Sequence, residues 1–385
     1  MHVAINAHLL SPVPGYRQAG VSRYIDQLLR HLWAMPRPDV RWTVYAPPGV
    51  TRSLLAAPPS VALRPSHLPT TQPLARIIWE QAIAPLAVAG QRPDVLFCPL
   101  NVVPLLAPYR TVVTVHDLAF LRFDLHKPAK RRYLAAFTKL SVRRAAHVIT
   151  VSEFTRREVL ELLRVPPAKV TAIPNGRDER FQPVAPDVVA AFRSRQQLPA
   201  HFLLFVGTLE PRKNVTTLLR AYAQVRAEVG MPLLIGGGKG WRYDDMFALV
   251  QELGLEQAVR FLGFVASDEL PHLYAAATAF VYPSLYEGFG FPPLEAFAVG
   301  TPVVTSAAAS LPEVAGDAAL LVPPTDVGAL ANALVRITHD AALRADLRTK
   351  GFAQVEQFSW TRTAAETLAV LQRAAGQKEP SPLSG

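Results

Sequence analysis

Two carboxylates eight positions apart, Glu287 and Glu295, lie in the stretch of this chain best equipped for chemistry. It runs Tyr282-Pro283-Ser284-Leu285-Tyr286-Glu287-Gly288-Phe289-Gly290-Phe291-Pro292-Pro293-Leu294-Glu295 and closes on Gly300-Thr301-Pro302-Val303-Val304. Gly288 and Gly290 let a ligand approach the backbone with no Cβ in the way. Pro292 or Pro293 is expected to open a helix and Gly300 to stop it. A helix N-terminus offers N–H groups and a positive dipole end to a phosphate. Glu295, inside that helix, can accept two hydrogen bonds from a ribose diol. Glu287, on the turn before it, can face a sugar. A bare pair of glutamates is ordinarily solvated surface charge, so the weight rests on the whole string.

Other groups with chemical potential also sit at strand ends. Phe202 to Val206 reads as a strand, followed by Gly207-Thr208-Leu209-Glu210-Pro211-Arg212-Lys213-Asn214. At a strand-to-helix turn Arg212 suits a pyrophosphate by bidentate hydrogen bonds and Lys213 as a point charge. Gly236 to Gly240 forms a glycine loop without dinucleotide spacing, suited to letting the backbone pass beside a nucleotide. Thr111 to Val115 is a buried strand ending in His116 and Asp117, where parallel strands line a ligand crevice. Ser11 to Gly20 is a loop with Gly15, Tyr16 and Gly20, between a first strand and a first helix.

Strands are expected at 2–7, 42–46, 94–98, 111–115 and 147–151, and again at 202–206, 232–235, 261–265, 279–281, 301–304 and 318–322. Helical spacing appears at 21–32, where Val21, Tyr24, Ile25, Leu28, Leu29 and Leu32 share a face, and helices are also placed at 73–88, 268–276, 326–337 and 340–355. Ser152 is placed as the cap of another. A last helix follows Phe358-Ser359-Trp360, with Trp360, Ala364, Leu368 and Leu371 on one face. Both halves alternate strand and helix, which argues for two parallel α/β domains facing one cleft.

The composition agrees. The 385 residues are 50% apolar and 18% charged, as in a packed globular protein of two ordinary domains. Cys98 is the one cysteine and reads as a buried structural thiol. The formal charge of +10 favours an anionic partner such as nucleotide phosphates, an acidic membrane face or nucleic acid. The N-terminus reads as a strand and not as a signal peptide, and no apolar run has the length of a membrane span. The expected location is cytoplasmic. Residues 124–147 read as a basic amphipathic helix. In it Lys127, Lys130, Arg131, Arg132, Lys139, Arg143 and Arg144 alternate with Tyr133, Leu134, Phe137 and Leu140. Such a helix is either a solvated face or a membrane-surface contact.

Taken together, the Glu287-to-Pro302 string, Glu210-Pro211-Arg212-Lys213-Asn214, the strand ending in His116-Asp117, Pro174-Asn175-Gly176 and Ala19-Gly20-Val21-Ser22-Arg23-Tyr24 resemble the family-4 retaining glycosyltransferases of GT-B fold. The resemblance covers nearly the whole chain. It implies two Rossmann-like domains facing a central cleft, residues 1–180 on the acceptor side and 181–358 on the donor side. A linker falls at 177–185, a helix over 359–375 crosses back to the first domain, and 376–385 is a disordered tail. It further implies retaining transfer of a sugar from a nucleotide sugar to an acceptor hydroxyl.

By the same resemblance Glu287, His116, Arg212 and Lys213 are catalytic. Gly20, Gly207, Arg212, Lys213, Gly236, Gly288, Phe289, Gly290 and Glu295 bind the donor. Gly15, Tyr16 and Asp117 face the acceptor. No Asp-x-Asp is present, so no metal or other cofactor is expected, and Arg212, Lys213 and the helix dipole take the diphosphate's charge. The run from His116 to Leu121 with Lys127-Pro128 and Arg131-Arg132-Tyr133 resembles bacterial mannosyl- and rhamnosyl-type transferases of surface polysaccharide. That favours GDP-mannose as donor and a glycan or lipid-linked acceptor at the inner face of the membrane, with no nucleic acid. The rivals are a nucleotide-sugar epimerase of GT-B-like fold and a non-catalytic nucleotide-sugar binding protein. A nicotinamide oxidoreductase ranks lower, since neither half carries Gly-x-Gly-x-x-Gly after its first strand.

Overall fold

The computed structural model describes residues 1–11, 20–123, 128–238, 240 and 244–376. Gly15, Tyr16, Lys127, Lys239 and the tail beyond 376 lie outside them. The chain divides into two compact units, one of Met1–Gly176 with the segment from Ser359 onward, the other of Arg177–Phe358.

The first unit holds a sheet of β1 (His2–Asn6), β2 (Arg41–Ala46), β3 (Ala62–Pro65), β4 (Val95–Cys98), β5 (Arg110–Val115), β6 (His147–Thr150) and β7 (Val170–Ala172). Its order is β3-β2-β1-β4-β5-β6-β7, with every pairing parallel. The second unit has β8 (Leu203–Val206), β9 (Leu233–Gly236), β10 (Val259–Gly263), β11 (Ala279–Tyr282), β12 (Val303–Ser306) and β13 (Ala319–Val322). Its order is β10-β9-β8-β11-β12-β13, again all parallel. The central strands are buried along their length, as sheets covered by helices on both faces require. The structure thus has the predicted α/β class, two Rossmann-like parallel sheets. Strand order reverses between β1 and β4 and again between β8 and β11. At such switch points the loops leaving the carboxyl ends diverge and open a crevice for ligands.

Several expectations need adjusting. β10 begins two residues before the run at 261–265 and ends at Gly263. The helix after Glu287 is Phe291–Val299, entered one residue before the prolines and stopped by Gly300 in the left-handed region. Helix 73–89 is interrupted by a π-turn at Trp79–Ile83. The basic helix is Pro128–Arg144. Ser152 caps Glu153–Leu163 by accepting a hydrogen bond from the Thr155 amide.

The last helix, Trp360–Ala375, packs against helix Val21–Ala34 in the first unit, and Trp360, Ala364, Leu368 and Leu371 are all buried. Gly176 sits against its start: a Cβ there would fall 2.1 Å from the Trp360 amide nitrogen, so only glycine fits.

Candidate functional site

In the second unit, the loops leaving β8 and β11 meet at the switch point. A single turn of 3-10 helix, Pro211–Lys213, follows β8, and Asn214 in the left-handed region starts helix Val215–Val229. Asn214 Nδ2 donates to the Pro283 carbonyl at 2.9 Å and to that of Pro324, tying this turn to the loop after β11. The Leu285 amide donates to the Arg212 carbonyl at 2.8 Å, and Ser284 Oγ lies 3.1 Å from the same carbonyl. Backbone and side chain together fix the cation pair against the Glu287 turn.

Both oxygens of Glu287 are engaged. Oε1 accepts from Lys213 Nζ at 2.7 Å, the Tyr282 hydroxyl at 2.8 Å and Ser284 Oγ at 2.6 Å. Oε2 accepts from the Arg212 guanidinium at 3.0 Å. The same guanidinium donates through Nε and its other terminal nitrogen to Glu210, at 3.0 and 2.8 Å, and to the Tyr286 carbonyl at 2.9 Å. Lys213 also donates to the Tyr282 hydroxyl at 2.7 Å.

Burial alone would raise the Glu287 pKa, but Lys213 and Arg212 overcome it and hold the carboxyl at about 2. Burial and the Arg212 charge push Lys213 below its ordinary value, against the opposing pull of Glu287 and Glu210. The Tyr282 phenol stays protonated, because burial and the neighbouring Glu287 charge push its pKa far up. Two cations and two carboxylates thus form a quartet without net charge. The N–H groups described bond within the network, which holds both cations in fixed directions.

Arg212, Lys213 and Glu287 were expected to have separate duties, the cations on a diphosphate and the glutamate on a sugar. The structure bonds the three side chains to one another in one network. Three of its members, Glu210, Tyr282 and Ser284, were not among the predicted site residues. Tyr282 reads as the end of an apolar strand and Ser284 as a loop residue. Only the adjacency of β8 and β11 brings them to Lys213.

Glu295 is buried on helix Phe291–Val299 and accepts from the Tyr274 hydroxyl at 3.2 Å. The expected cluster of helix N–H donors is smaller than predicted. Pro292 and Pro293 are the second and third helical residues and carry no N–H, and the Leu294 amide turns back to the Gly290 carbonyl. Gly288 and Phe289 are buried on the turn, and Gly290 (φ 128°) enters the helix with a backbone that side-chain-bearing residues rarely adopt. The Ser310 hydroxyl lies within hydrogen-bond reach of the carbonyls of both Glu287 and Phe289 and pins this turn from the following loop. Gly207, just after β8, donates its amide to the carbonyl of Gly236, the last residue of β9, at 2.9 Å. A Cβ on Gly237 would fall 1.9 Å from the Gly207 carbonyl oxygen, so the glycine run answers first to its neighbouring loop.

In the first unit, His116 follows β5. Its Nε2 lies 3.0 Å from the Pro99 carbonyl, and its amide donates to Asn101 Oδ1 at 3.1 Å. A carbonyl can only accept, so Nε2 carries the proton and Nδ1 of the neutral ring is an acceptor. Burial lowers the His116 pKa and favours that neutral ring. Tyr24 meets it edge-on at 4.7 Å. Tyr24 lies on the helix begun by Gly20 (φ 62°), so Gly20 and the histidine share a support. Asp117 caps the following short turn, accepting from the Ala119 amide at 3.1 Å. Gly15 and Tyr16 fall outside the described residues.

A second group at the β1–β4 switch point was not anticipated. Asn6, His8 and Glu80 are fully buried, and the π-turn carries Glu80 over the strand ends. His8 Nδ1 pairs with Thr70 Oγ1 at 2.9 Å, and the ring lies 3.9 Å from that of Trp79. Desolvation drives the His8 pKa down to about 3 and the Glu80 pKa up to about 7, the latter against the Arg76 guanidinium 3.6 Å away.

This pair of doubly wound parallel units has the fold class of the GT-B glycosyltransferases. Comparison with known proteins agrees. A family described as Glycosyltransferase Family 4 matches residues 19–181, and one described as Glycosyl transferases group 1 matches 191–354. O-antigen chain mannosyltransferase B of Escherichia coli is 38% identical over 263 residues, which are 67% of this chain and 69% of that protein. The serotype-specific mannosyltransferase WbdA of Escherichia coli is 29% identical over 309 residues, 74% of this chain but 37% of WbdA. The solved sucrose-phosphate synthase of Thermosynechococcus elongatus shares the fold at 24% identity and a TM-score of 0.73, over 97% of this chain and 98% of that one. The chain belongs to the family-4 glycosyltransferases. That outcome favours the transferase reading over the epimerase and the non-catalytic binding protein.

Proposed function

We propose that this glycosyltransferase moves mannose from GDP-mannose to a hydroxyl of a lipid-linked glycan in surface polysaccharide synthesis. The anomeric configuration is retained and no metal ion takes part. The 38% identity to an O-antigen chain mannosyltransferase carries this reading. In it, Glu295 holds the ribose, and the fixed N–H groups of Arg212 and Lys213 meet the diphosphate beside Gly207, Gly236, Gly288, Phe289 and Gly290. Glu287 keeps both cations in place and stabilises positive charge at the anomeric carbon. His116 accepts a hydrogen bond from a donor-sugar hydroxyl at Nδ1, near Gly20. Gly15, Tyr16 and Asp117 serve the acceptor.

The bond from the anomeric carbon to the diphosphate oxygen breaks as the acceptor oxygen attacks the same face. The acceptor's proton passes to the departing phosphate oxygen. The enzyme works peripherally at the inner face of the cytoplasmic membrane.

The test is a donor panel with a lipid-linked mannose-terminated acceptor, with and without a chelator. An α-mannoside formed from GDP-mannose, undiminished by chelation, is expected. A product from UDP-hexoses alone would overturn the donor. An inverted anomer would overturn retention, and loss of turnover on chelation would overturn metal independence.

A further inference from the structure

We infer that one apolar ridge of the first unit inserts into an anionic membrane surface, with helix 73–89 as the inserting element and the basic helix Pro128–Arg144 as its electrostatic rim. Large apolar side chains that stay in water cost free energy unless something covers them, and contiguous patches mark contact surfaces. Leu74 (70% exposed), Ile78 and Ile83 are exposed along helix 73–89, and Leu86 (79%) most of all. A regular α-helix turns about 100° per residue and would swing Ile83 and Leu86 away from Leu74 and Ile78. The π-turn at Trp79–Ile83 absorbs about one extra residue and brings them back toward one face.

The ridge continues beyond that helix. Gln81 donates to the Val103 carbonyl and accepts from the Leu105 amide, both at 3.1 Å, which fixes the loop bearing Leu106 (81% exposed) beside it. The same loop is held on its other side by the basic helix. The Val103 amide donates to Ser141 Oγ at 3.0 Å, and Arg144 donates to the Ala107 carbonyl. Leu140, also exposed, extends the apolar surface there.

Charge selects the occupant. Helix Pro128–Arg144 contains six Lys and Arg residues and no acid, and Lys130, Arg132, Lys139 and Arg143 are exposed. The one carboxylate of helix 73–89, Glu80, is buried. Exposed leucines beside unopposed cations match an anionic lipid interface, where apolar side chains enter the acyl boundary and cations meet phosphates. This surface deepens the lipid-linked acceptor reading and rests on it only for why the enzyme should dock.

The test uses the full chain with vesicles of phosphatidylcholine alone or with phosphatidylglycerol. Wild type should pellet with the anionic vesicles at low salt and at least about tenfold less with neutral ones. Leu86→Ser with Leu106→Ser should weaken anionic-vesicle binding at least about tenfold at every salt concentration. Lys139→Ser with Arg143→Ser should weaken it roughly thirtyfold at low salt and little at high salt. Both variants should retain transfer to a soluble acceptor.

Wild type that ignores anionic vesicles at low salt overturns the proposal, and so does undiminished binding by both variants. A dimer that the leucine variant dissociates, with no vesicle binding, would make the ridge a contact between copies and also overturn it. Absence of any mannosyl transfer in the soluble assay would instead count against the proposed reaction and leave the docking result standing.

Discussion

The two switch points solve the problem of buried polar groups in opposite ways. Between β8 and β11 the groups are charged and mutually compensated, with Glu287 held at about 2 and bonded to both Lys213 and Arg212. Between β1 and β4 burial dominates: His8 loses its proton, and the Glu80 carboxyl is pushed up to about 7 although the Arg76 guanidinium lies 3.6 Å away and opposes the shift. A buried charge is tolerable only when paired and hydrogen-bonded, whereas a neutral group needs only hydrogen bonds. The second unit thus holds compensated charge at its switch point, and the first holds groups whose charged forms burial disfavours.

The sharpest way to break the contrast is to unpair the quartet. Lys213→Ala removes one partner of a buried ion pair, which costs about 3–5 kcal/mol. Turnover should fall by two orders of magnitude or more. Glu287→Ala should do comparable damage and also weaken nucleoside diphosphate binding, since it releases both cations. The two losses should be strongly non-additive in a double-mutant cycle, read by thermal melts and initial rates. Additive losses would mean that the glutamate and the lysine act independently.

That coupling marks where legibility from the sequence ended. Glu287, Glu295, Arg212, Lys213 and His116 stand out by residue type at strand ends, and the apolar runs Thr111–Val115 and Leu203–Val206 announce their strands. The pairing of Lys213 with Glu287 depends on β8 lying beside β11, and no local pattern encodes strand order. β3 and β7 went unread because they are short edge strands, partly exposed and without alternation. Helix Pro186–Arg195 buries only Phe192, so its spacing carried no apolar face. The π-turn was hidden because its extra residue looks like ordinary helix.

Glu80 tests the neutral side of the comparison. Its folded pKa of about 7 lies above the 4.5 of a free glutamate, so the folded protein retains a proton that the unfolded chain has lost. Stability should therefore fall as pH rises from about 4.5 to 7 and stay low above that. The loss is up to about 3 kcal/mol. Glu80→Gln, neutral at all pH, should melt higher than wild type at pH 8 and alike at pH 4.5. Parallel melting curves across that range would show Glu80 to be charged and paired.

Glu295 predicts a smaller effect. A carboxylate hydrogen bond to a bound group contributes about 1.5–3 kcal/mol. Glu295→Ala should weaken nucleoside diphosphate binding by roughly 10- to 100-fold in calorimetry, with a smaller loss of fold stability than Lys213→Ala. Unchanged affinity would take Glu295 out of the donor site.

The smallest effect expected is a flat line. His116 is bonded through Nε2–H to the Pro99 carbonyl, and burial lowers its pKa below the ordinary 6.5. The ring is then neutral through the physiological range and can serve only as a fixed acceptor at Nδ1. Protonation would add a donor where a sugar hydroxyl must donate, so activity should fall only at pH well below 6.5. From pH 6.5 to 8, kcat/KM should show no limb assignable to His116. His116→Asn, which keeps a hydrogen-bonding side chain without a titrating group, should lower kcat/KM yet leave the profile's shape unchanged. A falling limb near pH 6.5 in wild type that disappears in His116→Asn would mean that the ring gains its proton in the working range. The first unit would then hold a titrating cation, and the contrast of compensated charge with neutral polarity would fail.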